Sequence, residues 1–341
     1  MRNELKPLAD QVMVITGASS GIGLATALMA AEKGVKLVLA SRNEQALSDI
    51  CDKITRNGGH AIYVICDVGN RKDVEAVAAK TLDMYGRIDT WINDAGVSIW
   101  GKLRDVKDED HHRLFETNFW GLVYGSLVAA EAIGDKPGAI INLGSALSDR
   151  ALPIQGMYCA SKHAVKGFTD AFRSELESER SPISVTLIKP SAIGTPFVQH
   201  AKNYTHREAK LPAPIYSADE VAMAILHAAE TRVRDIYVGS FSRSMAALNS
   251  VAPRFVDWVC AKFMTEAQLE DRPVRPHNDN LHKPGRDGAT VGINTGKGRR
   301  SLYTRAALHP FITTAAVATL GLAANALLRR NMQQEDNRKL G

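Results

Sequence analysis

The sequence predicts an α/β fold, a doubly wound parallel sheet of about seven strands followed by a C-terminal helical extension. Three observations carry that expectation. Runs rich in Val, Ile and Leu alternate with helix-like stretches from Val12 to Val238. The strand-like runs are short and largely apolar, as in parallel strands covered on both faces. The spacing between them leaves room for right-handed crossover helices.

Residues 12–16, Val-Met-Val-Ile-Thr, form the first strand and enter the loop Thr16-Gly17-Ala18-Ser19-Ser20-Gly21-Ile22-Gly23. A helix follows from Ile22 to about Lys33, and Gly34 ends it. Residues 35–40 read as the second strand. A helix near 44–57 stops at Gly58-Gly59. Ala61–Cys66 gives a third strand, 73–85 a helix and Ile88–Asn93 a fourth strand. A long helix covers 108–132, and Ala139–Ser145 is the fifth strand. Residues 156–180 form another helix and Ile183–Lys189 the sixth strand. Asp219–Thr231 reads as a helix and Asp235–Val238 as a short seventh strand.

Beyond the expected catalytic domain, residues 1–240, the composition changes. Residues 241–265 are apolar-rich and helix-like, interrupted at Pro253. They suit a packing helix, a lid or a membrane-facing surface. Residues 266–305 are polar and rich in Gly, Pro, Arg and Asn, which reads as a linker. Residues 306–330 hold an apolar helix, with no Asp, Glu, Lys or Arg between Ala306 and Leu328. Nineteen helical residues span about 28 Å, close to the hydrocarbon thickness of a bilayer. Three readings stand for it: a membrane pass, an interfacial or partner-bound helix, and a helix docked on the protein. Arginines on both flanks leave its orientation open. Residues 331–341 are a polar tail.

The 341 residues carry a formal net charge of +5, with 45% hydrophobic and 23% charged residues. That balance argues against a nucleic-acid partner. Cys51, Cys66, Cys159 and Cys260 lie far apart with no C-x-x-C pair, which argues against a disulfide scaffold or a zinc site. No metal is expected, and a reducing compartment, the cytoplasm, suits the catalytic domain. The polar start MRNELKPLADQ leads into a strand and not a secretory signal.

The glycine-rich loop, placed between a strand and a helix, points to a Rossmann-like dinucleotide site. Glycine lets the backbone turn sharply and approach a pyrophosphate, and the helix N-terminus offers unpaired N–H groups. After the second strand, an acidic residue would favour NAD. The chain instead has Ser41 and Arg42, a hydroxyl and a forked cation suited to a 2′-phosphate, so NADP is favoured over NAD. Asp67 is a candidate acceptor for the adenine amino group, or a cap for the next helix. Asn93-Asp94-Ala95-Gly96 closes the fourth strand. Ala95 and Gly96 permit close approach of the cofactor, and Asn93 reads as part contact and part strand tie.

Tyr158 and Lys162 are four residues apart and share a helix face. A phenol near pKa 10 is a poor acid–base at neutral pH, and a nearby ammonium is expected to lower that value. Ser145 lies at the C-terminal end of the fifth strand, where catalytic groups collect in open α/β sheets. It can donate to a substrate carbonyl oxygen and hold it against Tyr158.

Together, Thr16-Gly17-x-x-x-Gly21-x-Gly23, Asn93-x-Ala95-Gly96, Asn118, Ser145 and Tyr158-x-x-x-Lys162 resemble the short-chain dehydrogenase/reductase family over residues 10–240. The resemblance implies a tetrad. Tyr158 would be the acid–base, and Lys162 would hold the nicotinamide ribose and tune Tyr158. Ser145 would orient the substrate oxygen. Asn118 would interrupt its helix and position a water in a proton relay through Lys162. Hydride would pass from the nicotinamide to a carbonyl carbon, with Thr195 at the carboxamide. The candidate cofactor contacts comprise Thr16, Gly17, Ser19, Ser20, Gly21, Ile22, Gly23, Ser41, Arg42, Asp67, Val68, Asn93, Ala95, Gly96, Tyr158, Lys162, Pro190, Ile193 and Thr195. The chain departs from the family pattern at Asp94, usually Asn, at Ser191, usually Gly, and in the long C-terminal extension. The resemblance also implies a homo-dimer or homo-tetramer built on the helices 108–132 and 156–180.

Segments 146–155 and 191–215 should line the substrate pocket. Leu147, Leu152, Ile154, Phe197 and Val198 favour a lipophilic ketone or alcohol. Arg150 offers a charge for an acid, and His200, Lys202 and Tyr204 add polar groups. Two other functions are weighed beside the reductase. One is a membrane-anchored dinucleotide-binding regulatory or scaffold protein, and the other is a dehydratase or epimerase on the same fold.

Overall fold

The computed structural model describes residues 4–275, 278–293, 295–308 and 313. Seven parallel strands form the central sheet: β1 Val12–Thr16, β2 Lys36–Ser41, β3 His60–Ile65, β4 Thr90–Asn93, β5 Gly138–Leu143, β6 Ile183–Pro190 and β7 Asp235–Val238. Their order across the sheet is β7-β6-β5-β4-β1-β2-β3. The order reverses between β1 and β4, which leaves a crevice at the C-terminal ends of those two strands. Thr16 lies opposite Ala40 on β2 and Asn93 on β4, so the glycine-rich loop leaves the sheet at that crevice.

The helices are α1 Gly21–Glu32, α2 Glu44–Arg56, α3 Arg71–Tyr85, α4 Asp108–Phe115, α5 Gly121–Ile133, α6 Gly156–Ser178 and α7 Ala218–Glu230. Val14, Val38, Trp91, Ile140 and Val185 point to one face of the sheet. There they pack against Val74 and Val77 of α3, Val128 and Ala129 of α5, and Phe172 of α6. Met13, Ile15, Leu37, Ile92 and Ile141 alternate with them and are also fully buried. Burial on both faces is why the strand sequences read as continuous apolar runs. Each such aliphatic side chain contributes about 1.5–3 kcal/mol relative to exposure. Asn43 and Asn70 cap α2 and α3, accepting from the backbone N–H groups of Ala46 and Lys72.

Asn118 lies in a π turn, Glu116–Trp120, which separates α4 from α5 within the expected 108–132 helix. Three short pairings beside the sheet were not legible in the sequence. Ile99–Trp100 pairs with Lys202–Asn203, Ala192–Ile193 with Ile215–Tyr216, and Arg207–Ala209 with Leu269–Pro273. After β7 come α8 Ser240–Val251, α9 Pro253–Val259 and a second π turn, Cys260–Met264. Pro253 begins α9, where its missing N–H costs nothing. Phe255, Trp258 and Phe263 are about half-exposed there.

The compact unit continues to Ser301. Within the stretch expected as a polar linker, the described residues up to Ser301 belong to this compact unit. Leu269–Pro273 adds a strand to Arg207–Ala209, and Arg299 pairs with Ile215 and Ser217. Residues 302–341 form a second unit, of which the helix Leu302–Leu308 is described. Among the described residues, no helix is long and apolar enough to cross a membrane. The candidate apolar segment 306–328 lies outside the described residues except for 306–308 and 313.

Candidate active site

A cavity of about 270 Å³ opens at the crevice, with the glycine-rich loop at one end and Ser145, Tyr158 and Lys162 at the other. The loop is built for close approach. Gly17 adopts φ +73°, and a Cβ there would sit 2.7 Å from the Ala95 nitrogen. A Cβ on Gly23 would meet the Gly17 carbonyl oxygen at 2.3 Å, so any larger residue would push α1 off the loop. Thr16 ties the loop to β4: its hydroxyl donates to the Ile92 carbonyl and accepts from the Asp94 and Ala95 N–H groups. Thr16 and Gly23 therefore shape the cradle from behind, whereas Gly17, Ser19, Ser20, Gly21 and Ile22 line the cavity.

Ser41, Arg42, Asp67, Val68, Ala95, Gly96, Pro190, Ile193 and Thr195 also line it. The Ser41 hydroxyl accepts from the Asn43 N–H at 3.2 Å. Asp67 accepts from the Gly69 N–H and is ion-paired with Arg113. The helix that follows is capped by Asn70 instead. Asn93 does not reach the cavity. Its amide donates to Asn142 Oδ1 at 2.8 Å and to Ser126, and its Oδ1 accepts from the Trp91 indole. It ties the ends of β4 and β5 together.

Tyr158 and Lys162 both lie on α6, as their spacing predicts, and both are buried. The Tyr158 ring packs edge-on against Phe197 with centroids 5.5 Å apart. Ser145 starts the turn after β5. Its hydroxyl accepts from the Leu147 N–H, and its own N–H donates to Ser148. Lys162 donates to the Leu143 carbonyl at 2.7 Å, and its Nζ lies 5.8 Å from the Tyr158 ring centre. Asn118 stands behind them: its Oδ1 accepts from the Val97 N–H, and its Nδ2 donates to the Val97 carbonyl and to Ser161. That engages the whole amide in holding the π turn to the loop after β4.

The electrostatics differ from the sequence expectation. Burial raises the Tyr158 phenol above its ordinary value, and a hydrogen bond from Ser145 only partly opposes this. Burial also lowers Lys162 to about 8, with the Asp94 charge pulling it back up. Asp94 itself is pushed up to about 7 by burial, opposed by the Lys162 ammonium and the Gly23 N–H. Asp94 was noted in the sequence only as a departure from a pattern. Its charge beside Lys162 became legible only in three dimensions.

Leu147, Leu152 and Phe197 border the cavity, joined by Leu211, Pro212 and Phe241. Ile154 and Val198 pack instead in a neighbouring cluster with Trp100. Arg150, the candidate for an acidic substrate, is engaged elsewhere, paired with Asp257 at 2.8 Å and bonded to Asn249. Lys202 and Tyr204 are likewise turned to structure, both bonded to buried Asp110. His200 lines the cavity and contacts the Arg286 carbonyl at 2.8 Å.

A doubly wound sheet with this glycine-rich loop and a buried Tyr/Lys pair defines a class, and the comparisons agree with it. The family model described as short chain dehydrogenase matches residues 11–205, and the chain belongs to that oxidoreductase family. It is 45% identical over 332 residues to the uncharacterized oxidoreductase YxnA of Bacillus subtilis (strain 168), covering 96% of this chain and 93% of that one. The structure is similar to a short chain dehydrogenase/reductase from Burkholderia phymatum in complex with NAD. Its TM-score is 0.65 at 25% identity, covering 81% of this chain and 99% of that one. It is also similar to an alcohol dehydrogenase from the archaeon Thermococcus sibiricus complexed with 5-hydroxy-NADP. There the TM-score is 0.59 at 25% identity, covering 67% and 95%.

Proposed function

We propose that this oxidoreductase uses NADP(H) to transfer a hydride between the nicotinamide and a carbonyl or secondary alcohol of a lipophilic substrate, with Tyr158 as the acid–base. The observation that supports this best is the convergence of Ser145, Tyr158 and Lys162 on a cavity whose far end is the glycine-rich loop. The residues present fit a dinucleotide. Gly17 and Gly23 leave a backbone cradle that a Cβ would fill, and α1 begins there. Gly17, Ser19, Ser20, Gly21 and Ile22 would hold the pyrophosphate, and Ser41 and Arg42 a 2′-phosphate. Asp67 and Val68 would border the adenine. Ala95, Gly96, Pro190, Ile193 and Thr195 would border the nicotinamide half.

When bound, that group supplies or accepts the hydride. The protein's part is to hold the substrate and move a proton. The raised Tyr158 pKa keeps the phenol protonated at neutral pH, as a proton donor to a carbonyl oxygen requires. Ser145 and Tyr158 line the same cavity, so the Ser145 hydroxyl would help fix that oxygen. Lys162 places a positive charge beside the phenol, which favours the phenolate left after donation. Leu147, Leu152, Phe197, Leu211 and Phe241 make the substrate end apolar. Arg42, with no acidic residue at the end of β2, supports NADP over NAD.

The reaction is tested by NADPH oxidation against a panel of apolar ketones. Tyr158→Phe should lower turnover about 10²–10⁴-fold while leaving NADPH affinity within twofold. Turnover equal to the parent protein would remove Tyr158 from the mechanism. The uncharged stretch 306–328 adds the proposal that the catalytic unit is tethered at a membrane. Sedimentation of the full chain with vesicles, lost on removing 306–341, checks it.

A further inference from the structure

The proposed phosphate seats are already filled by the chain itself. Residues 280–289 of the C-terminal extension run along the glycine-rich loop. The Gly21 N–H, at the first turn of α1 where a pyrophosphate oxygen would sit, donates to the Ala289 carbonyl at 2.9 Å. The Gly288 N–H donates to the Ser19 carbonyl at 2.8 Å. The Ser19 hydroxyl donates to the Asp287 carboxylate at 2.9 Å. Asp287 thus places a buried anion at the positive end of α1. At the other end of the seat, the Arg42 guanidinium donates to the Leu281 and Asn280 carbonyls, and Asn43 donates to the Gly285 carbonyl.

From these contacts we infer that residues 280–289 are an intramolecular competitor of the cofactor. Asp287 stands in for a phosphate at Ser19, Ala289 takes the Gly21 N–H, and Asn280 and Leu281 occupy Arg42. The inference rests on the dinucleotide reading of the site. The strap is held from outside as well, which returns it to the seat. His282 contacts Asp110 at 2.6 Å, and Asp110 also binds Lys202 and Tyr204 of the substrate-side loop. The Arg113 guanidinium donates to the Leu281 carbonyl at 3.2 Å. Cofactor entry therefore requires the strap to leave Ser19, Gly21 and Arg42.

The test uses the full chain and NADPH binding, not turnover. Two variants release the strap by different means. Asp287→Ala removes the carboxylate that accepts from Ser19. Gly288→Pro removes the N–H that binds Ser19, at a position with φ +92° that proline cannot adopt. Neither residue touches the tetrad. NADPH titrations followed by nicotinamide fluorescence should give a Kd about fivefold lower in each variant, the worth of one net hydrogen bond released. In the parent protein, NADPH should speed hydrogen exchange at the Gly288 amide as the strap departs. An unchanged or higher Kd in both variants, or slower exchange at Gly288 on binding, would overturn the inference and make the strap part of the cradle. Absence of NADPH and NADH binding to Gly288→Pro, whose seat is open, would instead overturn the cofactor reading.

Discussion

Asp94→Asn isolates the least ordinary charge in the site. Asp94 borders the cavity, and burial raises its carboxyl from 3.8 to about 7. A raised folded-state pKa means the folded protein binds the proton more tightly than the unfolded chain. Its contribution to stability is full below 3.8 and is lost as pH rises through about 7. That shift corresponds to roughly 4 kcal/mol at about 1.4 kcal/mol per unit, and screening by water in the open cavity halves it to about 2 kcal/mol. Asparagine keeps the shape and an oxygen for the Gly23 N–H but cannot ionise. Urea unfolding of the cofactor-free protein should therefore show Asp94→Asn exceeding the parent by only about 0.5 kcal/mol at pH 4.5 and by about 2 kcal/mol at pH 8.5. The same change removes the negative charge that holds Lys162 up at about 8, so Lys162 should lose its proton at lower pH. A variant that gains nothing between pH 4.5 and 8.5, or loses stability there, would refute the burial argument.

Other substitutions separate the remaining roles. Arg42→Ala should lower the ratio of NADPH to NADH affinity at least tenfold, read from paired titrations, because only the 2′-phosphate needs the forked cation. Gly23→Ala places a Cβ 2.3 Å from the Gly17 carbonyl oxygen and should abolish dinucleotide binding while costing roughly 1–3 kcal/mol of stability in thermal unfolding. Lys162→Met should reduce turnover at least 100-fold; because burial opposes the Lys162 charge, the variant should lose no stability below pH 8 by the same unfolding assay. Asn93→Ala leaves Asn142, Ser126 and Trp91 without their shared partner and should cost about 1–3 kcal/mol of stability with little effect on cofactor Kd.

What the sequence made legible depends on how local the signal was. The strands β1 to β7 were found within a residue or two; for β1, β4, β5 and β6, burial on both faces writes itself into continuous apolar runs. Tyr158 and Lys162 were placed together by helical period alone. The π turn around Asn118 was reached only through family likeness, since no composition signals it. Asn93 has an ambiguous role in the sequence because its partner Asn142 is far along the chain and meets it only through strand pairing.

The two clearest failures share a cause. The expectation that Lys162 would depress the Tyr158 pKa counted the charge four residues away. It could not count the water excluded from both groups, and burial is the largest cause of the shift at each. The strap was invisible for a related reason. Most of its contacts to the cofactor seat use the main chain: the Asn280, Leu281 and Ala289 carbonyls and the Gly288 N–H. Those groups are the same in every sequence, so a stretch rich in Gly, Pro, Arg and Asn reads as linker whether or not it has a seat to occupy. Its one distinctive side chain is Asp287, an anion with no meaning until it is seen beside Ser19 at the start of α1. A polar extension to a dinucleotide-binding domain should therefore be judged by whether its acidic residues reach the glycine-rich loop. In this chain Asp287 takes the Ser19 hydroxyl and the Ala289 carbonyl takes the Gly21 N–H, the contacts on which the proposed competition with the cofactor rests.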